Sequence, residues 1–228
     1  MSEAVSYFLS FLAAAIPAGM PLLYGTLGEI LTEKGGNLNL GVEGMMYMGA
    51  IFGFVGGYYA GSVLLMLLLA FAGGALGALI YAVLTVTLKA NQNVTGLTLT
   101  IFGTGLANFI GENIVLNSPS QTAKVSDELM ARITNAGIPL LKEIPVLGPM
   151  LFDTNIFVYL GIVIAVAMGL YLNHTRVGLN LRAIGENPAA ADAAGVNVTL
   201  YKYAHILVGG GVCGRFGIFL GTYDEQLV

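Results

Sequence analysis

Most residues of this chain that can do chemistry are uncharged hydrogen-bonding side chains, set in two short runs beside apolar segments. Asn37 and Asn39 precede Gly41, and Glu43 opens an apolar stretch. Asn91, Gln92 and Asn93 form the second run, followed by Thr95, Thr98 and Thr100. Such amides and hydroxyls supply donors and acceptors without charge, the set needed to bond the hydroxyls and base edges of a neutral polar solute. The second run fits that use, and the first reads as part of the solute path or its inner gate. Each also has a plainer explanation: a polar clamp fixing a re-entrant turn for the first, and a hydrated loop whose asparagine caps the next helix for the second. Buried unpaired, these groups would cost on the order of several kcal/mol, so they must bond to one another, to freed backbone or to water. Asn108, Glu112 and Asn113 give a weaker polar signal further along.

Other chemistry is poorly supplied. No GxxxxGK[ST] run is present, so the chain has no loop to cradle ATP phosphates, and any ATP must sit on a partner. His174 and His205 stand apart from any Cys, Ser or carboxylate cluster, and no metal-ligand spacing occurs, so no cofactor, metal or enzymatic reaction is expected of this chain. The single cysteine, Cys213, lies in an apolar segment and reads as a small packing residue.

These groups are carried by a membrane protein. Of 228 residues, 56% are hydrophobic and only 10% charged, and the mean hydropathy is +0.80, too apolar for a domain whose surface faces water. The net charge of −4 is thinly spread with no basic cluster, which gives no reason to expect nucleic acid. Glycine, at 32 residues, is about twice its usual share, as in helices that pack backbone to backbone in lipid. Four-residue repeats such as Gly73 with Gly77, Gly103 with Ala107, and Gly210 with Gly214 read as plain bundle packing.

A span needs about 20 mostly apolar residues, which gives about six: Val5 to Leu31, Val42 to Tyr59, Ser62 to Leu88, Val94 to Leu116, Asn155 to Leu172 and Tyr201 to Tyr223. The fold expected is an all-α polytopic transmembrane helical bundle forming one domain over 1–228. Lys34, Lys89, Arg176, Arg182 and Lys202 then fall on one side, which should be cytoplasmic, with the N-terminus outside. Pro17 and Pro21, with Gly19 and Gly25, permit a kink or a break in the first span. Glu29 near its inner end is expected to reach the interface. The outer loop, about 117–153, contains proline-broken apolar pieces between Ile138 and Pro149 that are too short to cross. Arg215, near the middle of the last span, needs a partner, for which Glu43 and Glu112 are the candidates.

The longest polar connection, about 174–199, looks built as a part. Asn187 is a good N-cap, Pro188 suits the first helical position and Gly195 suits the C-terminal stop, enclosing a short alanine-rich helix. An alanine surface lets another backbone come close. Arg176 and Arg182 flank Val177, Leu179, Leu181 and Ile184 in an amphipathic lead-in. The residue types alone fit an ordinary membrane-proximal loop equally well.

The run Gly185, Glu186, Asn187, Pro188, then Ala190, Ala191, Ala194 and Gly195 resembles the cytoplasmic coupling-helix motif of permease subunits of bacterial ABC importers. The branch it resembles serves branched-chain amino acids, ribose-type sugars and nucleosides. Gly35 to Met46, GGNLNLGVEGMM, is similar to a signature of the nucleoside and simple-sugar permeases, and the resemblance extends from about Tyr7 to Gly221. It implies a pore in the bacterial cytoplasmic membrane, a separate ABC ATPase pulling on the coupling helix, a second permease subunit and an extracytoplasmic solute-binding protein. It also implies that the Asn91 to Thr95 segment lies close to the translocation path. Two departures stand out: related permeases usually carry small apolar residues where this chain has Arg215, and they continue into further helices, so a C-terminally truncated member is expected.

The leading function is therefore the membrane subunit of an ATP-driven importer for nucleosides or simple sugars. An ion-driven secondary transporter using Glu43 or Glu112, or a non-transporting remnant, are the alternatives. The ion-driven reading would need paired broken helices in two repeated halves, and only the first span offers a strong break.

Overall fold

The computed structural model describes residues 3–118, 122–134 and 155–223, and every regular element among them is helical. In order they are α1 (Glu3–Lys34), α2 (Val42–Ala60), α3 (Val63–Ala82), α4 (Gln92–Asn117), α5 (Asp127–Thr134), α6 (Ile156–His174), α7 (Arg176–Glu186), α8 (Pro188–Ala193) and α9 (Val198–Tyr223). A π-helical turn, Val83–Thr87, extends α3. The all-helical bundle expected from the sequence is what the chain forms. The apolar pieces between Ile138 and Pro149 lie outside the described residues.

Glycine contacts give the topology. Gly25 of α1 faces Val42 and Met46, Gly73 of α3 faces Met48 and Phe52, and Gly44 of α2 lies against Leu99 and Thr100 of α4. From these pairings α2 runs antiparallel to α1 and α3 and parallel to α4. The long helix α9 fills the middle, with Gly209 against Gly28 of α1, and Gly214 against both Gly49 of α2 and Gly74 of α3. α6 lies against the outer flank of α1, where the Tyr24 hydroxyl donates to the Phe157 carbonyl at 2.9 Å. The packing reading of the glycine repeats is what these contacts show. Cys213 is likewise a buried packing residue, its thiol 3.7 Å from the Gly25 carbonyl.

Four helical stretches are long and apolar enough to cross a bilayer: Phe11–Lys34, Val63–Thr87, Gln92–Asn117 and Ile156–His174. The expected count of about six is not reproduced. α2 and α9 form where expected, but among the described residues neither reaches that apolarity. α2 carries Glu43 and a series of glycines, and α9 carries Lys202, His205, Arg215 and another such series. Both helices meet protein on several sides, so close backbone approach is the requirement their residues satisfy. The outward surfaces of α1, α3, α4 and α6 are apolar, with Leu22, Leu68, Ile101 and Val163 all exposed. In a protein this hydrophobic, such a belt is the lipid-facing surface of a multi-pass membrane protein.

Of the kink or break that Pro17 and Pro21 permit, a break is not formed, because α1 is continuous down to Lys34. The expected partners of Arg215 are corrected. Arg215 forms no ion pair with Glu43 or Glu112. Its guanidinium instead lies over the Phe71 ring of α3, 5.2 Å from the ring centre, where the aromatic face supplies the negative potential.

Candidate functional site

One end of the bundle gathers the polar features: the end of α1, the loop 35–41, residues 88–91, and α7 with α8. All the basic residues named above for one side, Lys34, Lys89, Arg176, Arg182 and Lys202, belong to this end.

The α7–α8 element is built by strong local signals. The Thr175 hydroxyl accepts from the Gly178 N–H at 3.0 Å and starts α7. Leu181 and Ile184 of α7 are fully buried, so its amphipathic pattern is used to fix it to the bundle. Asn187 then turns the chain, and its Oδ1 accepts from the Ala190 N–H at 3.0 Å, capping α8 with Pro188 at the first position. At the other end the Val196 N–H bonds the Ala191 carbonyl at 3.0 Å and the Gly195 N–H bonds the Asp192 carbonyl at 2.8 Å, with Gly195 at φ +86°. That pairing is a Schellman motif, closed by the one residue type that takes this φ without strain. A two-turn helix is marginal alone, and both of its ends are chemically closed here.

Of the residues expected to meet a partner, Glu186, Asn187, Pro188, Ala190, Ala194 and Gly195 are exposed, Gly185 is half-buried and Ala191 is buried. α8 thus presents one alanine-rich face outward and stands on Ala191.

The loop 35–41 is held on four sides. The Asn39 N–H donates to Glu29 Oε1 at 2.8 Å, the Leu38 N–H to Gln92 Oε1 at 2.8 Å, the Tyr81 hydroxyl to the Leu38 carbonyl at 2.5 Å, and the Thr100 hydroxyl to the Leu40 carbonyl at 3.2 Å. Asn39 also folds back, its Oδ1 accepting from the Gly41 N–H at 3.0 Å. Asn39 is buried within this network, Asn37 is buried beside it with its Oδ1 left without a hydrogen bond, and Thr95 is buried in the first turns of α4. Asn91 caps α4, its Oδ1 accepting from Asn93 N–H at 3.0 Å and Val94 N–H at 3.2 Å. Glu43 and Asn93 are exposed, and neither side chain has a hydrogen bond among the described residues.

Glu29 is therefore an anchor for the loop as well as a carboxylate near the helix end. Gln92, Tyr81 and Thr100 are the other anchors, and the sequence left all three without this role. The available signal for Tyr81 was a tyrosine inside the apolar run of α3, since a buried tyrosine hydroxyl needs an acceptor. The variant Glu29→Leu leaves the Asn39 N–H without its acceptor, and a loss of about 1–3 kcal/mol of stability is expected. A lowered midpoint of thermal unfolding in detergent would register it; an unchanged midpoint would mean that the loop does not depend on this bond.

The chain matches, over residues 11–226, the family described as branched-chain amino acid transport system / permease component. It is 35% identical over 204 residues to the nucleoside ABC transporter permease protein NupC of Lactococcus lactis, covering 86% of this chain and 62% of that one. It is 32% identical over 230 residues to the guanosine ABC transporter permease protein NupQ of Bacillus subtilis, covering 96% and 69%. A Haloferax volcanii protein named as a candidate glucose ABC transporter permease is 34% identical over 223 residues, covering 98% of this chain and 66% of its own length. The chain thus spans about two thirds of the length of the curated relatives it matches. No solved structure matches it. The match over almost the whole sequence shows that this chain belongs to the family described as branched-chain amino acid transport system / permease component.

Proposed function

We propose that this chain is the membrane-spanning subunit of an ATP-driven importer for nucleosides or simple sugars, worked by a separate ATPase that docks on α8. The observation that carries the proposal is α8 itself: a short helix closed at both ends by its own caps, anchored only through Ala191, and exposed along Pro188, Ala190 and Ala194. A helix finished at both ends and exposed along one face is suited to a partner's groove.

The basic end would face the cytoplasm, with the N-terminus outside and the bilayer of the cytoplasmic membrane around the apolar belt. A second permease subunit and an extracytoplasmic solute-binding protein would complete the assembly. The solute class is supported by the relatives named for nucleosides, guanosine and glucose. Along the path, Glu43 and Asn93 are the groups free to meet a neutral polar solute, while Asn37, Asn39, Asn91, Gln92 and Thr95 set the frame that holds them. The ion-driven alternative needs paired broken helices, and α1, which offered the one strong break in the sequence, is continuous.

Co-expression with a candidate ATPase and extraction in mild detergent test the reading. Retention of the ATPase, followed by uptake in a panel of guanosine, ribose and leucine, is the expected result. An ATPase that never accompanies the chain would count decisively against it.

A further inference from the structure

The α7–α8 element meets the end of α1 backbone to backbone, and that meeting point is bonded onward to α4. A Cβ placed on Gly185 would lie inside 3.0 Å of the Lys34 carbonyl oxygen. Gly36, at φ +80°, has its Cβ direction 3.3 Å from the Gly185 Cα, and that of Gly35 is 3.2 Å from Leu181 Cδ1. No flexible side chain lies between Gly185 and the turn that follows α1. Two residues beyond Gly36, the Leu38 N–H is held by Gln92 in the first turn of α4, and the Leu38 carbonyl by Tyr81 of α3.

We infer that Gly36 and Gly185 form a stiff joint through which displacement of α7–α8 is passed by the Leu38–Gln92 bond to the start of α4. Gly36, Gly185 and Gln92 are then positioning residues for coupling. This rests on the reading of α8 as the ATPase-docking helix. Packed elements with no slack transmit a shift as a unit, and Gly36 and Gly185 meet in that way, main chain against main chain. A competing route leaves α7 through the Asn180 Nδ2 bond to the Tyr201 hydroxyl, 3.0 Å, into α9.

The test is solute moved per ATP hydrolysed, in vesicles containing the chain with its ATPase and binding protein. Gly185→Ala, whose Cβ would press on the Lys34 carbonyl oxygen, should lower the melting temperature and, in the fraction that assembles with the ATPase, lower the ratio about fivefold. Gln92→Leu should lower it too, and the double variant should be no worse than the stronger single one, because both interrupt one route. Gly169→Ala, where an added Cβ meets nothing within 4 Å, should match the parent. A parental ratio in Gln92→Leu overturns the inference by itself, whether or not Gly185→Ala assembles. Effects that multiply in the double variant, or uncoupling by Asn180→Leu with Gly185→Ala unaffected, overturn it as well. If the parent chain itself retains no ATPase, the reading beneath it fails first, and visibly so.

Discussion

The variant Ala190→Glu is expected to fold as the parent does and to lose its ATPase. Ala190 is exposed on α8, so a larger side chain there displaces water and leaves the helix's own packing alone. Against a partner the same carboxylate would have to be buried in a seat shaped for a methyl group. Changes at the centre of such a contact cost about 2 kcal/mol or more, a loss of roughly thirtyfold or greater in association. The contrast with Ala191 gives the experiment its meaning. Ala191 is only 5% exposed, and its carbonyl accepts the Val196 N–H that closes α8. A bulky charge there would unseat the helix, so failure to bind would not distinguish a lost contact from a lost fold. On residue types alone Ala191 looks the natural test site, and its burial moves that choice to Ala190. Co-purification read beside the melting temperature separates the two effects, and a chain carrying Ala190→Glu that still holds its ATPase would place the docking surface elsewhere.

The largest effect on folding is expected from Gly49→Val. A Cβ at Gly49 would come inside 3.0 Å of the Gly214 backbone in α9, and the clash is with main-chain atoms that no rotamer change can remove. Nor can α9 retreat, because on its other side Gly214 lies equally tight against the backbone of Gly74 in α3. Overpacking of ordinary cores costs about 1–3 kcal/mol, and a site confined from both sides belongs at or above the top of that range. Little monodisperse protein should survive detergent extraction. Gly105→Val is the matching control: its added carbon meets nothing within 4 Å, and a stability change within about 0.5 kcal/mol is expected. Parental melting behaviour in Gly49→Val would show that α2 and α9 are not packed as described.

The sequence alone determined what depends on nearby residues. Long apolar runs made the chain helical and membrane-embedded, and helix positions followed to within a few residues because apolar length and turn chemistry are local properties. The caps of α8 were legible for the same reason, since Asn187, Pro188 and Gly195 act within four or five residues of where they stand. Tertiary structure decided everything that depends on who lies opposite. It put Asn37 and Asn39 inside a bonded loop and left Glu43 exposed, though all three look alike in the sequence. It gave Glu29 a backbone N–H to hold, and gave Arg215 an aromatic ring in place of a carboxylate. It joined Leu38 to Gln92 across 54 residues, and Tyr24 to Phe157 across 133. A polar residue advertises that it needs a partner, but the partner is chosen by how helices pack, and that is set by glycine surfaces meeting across long stretches of chain.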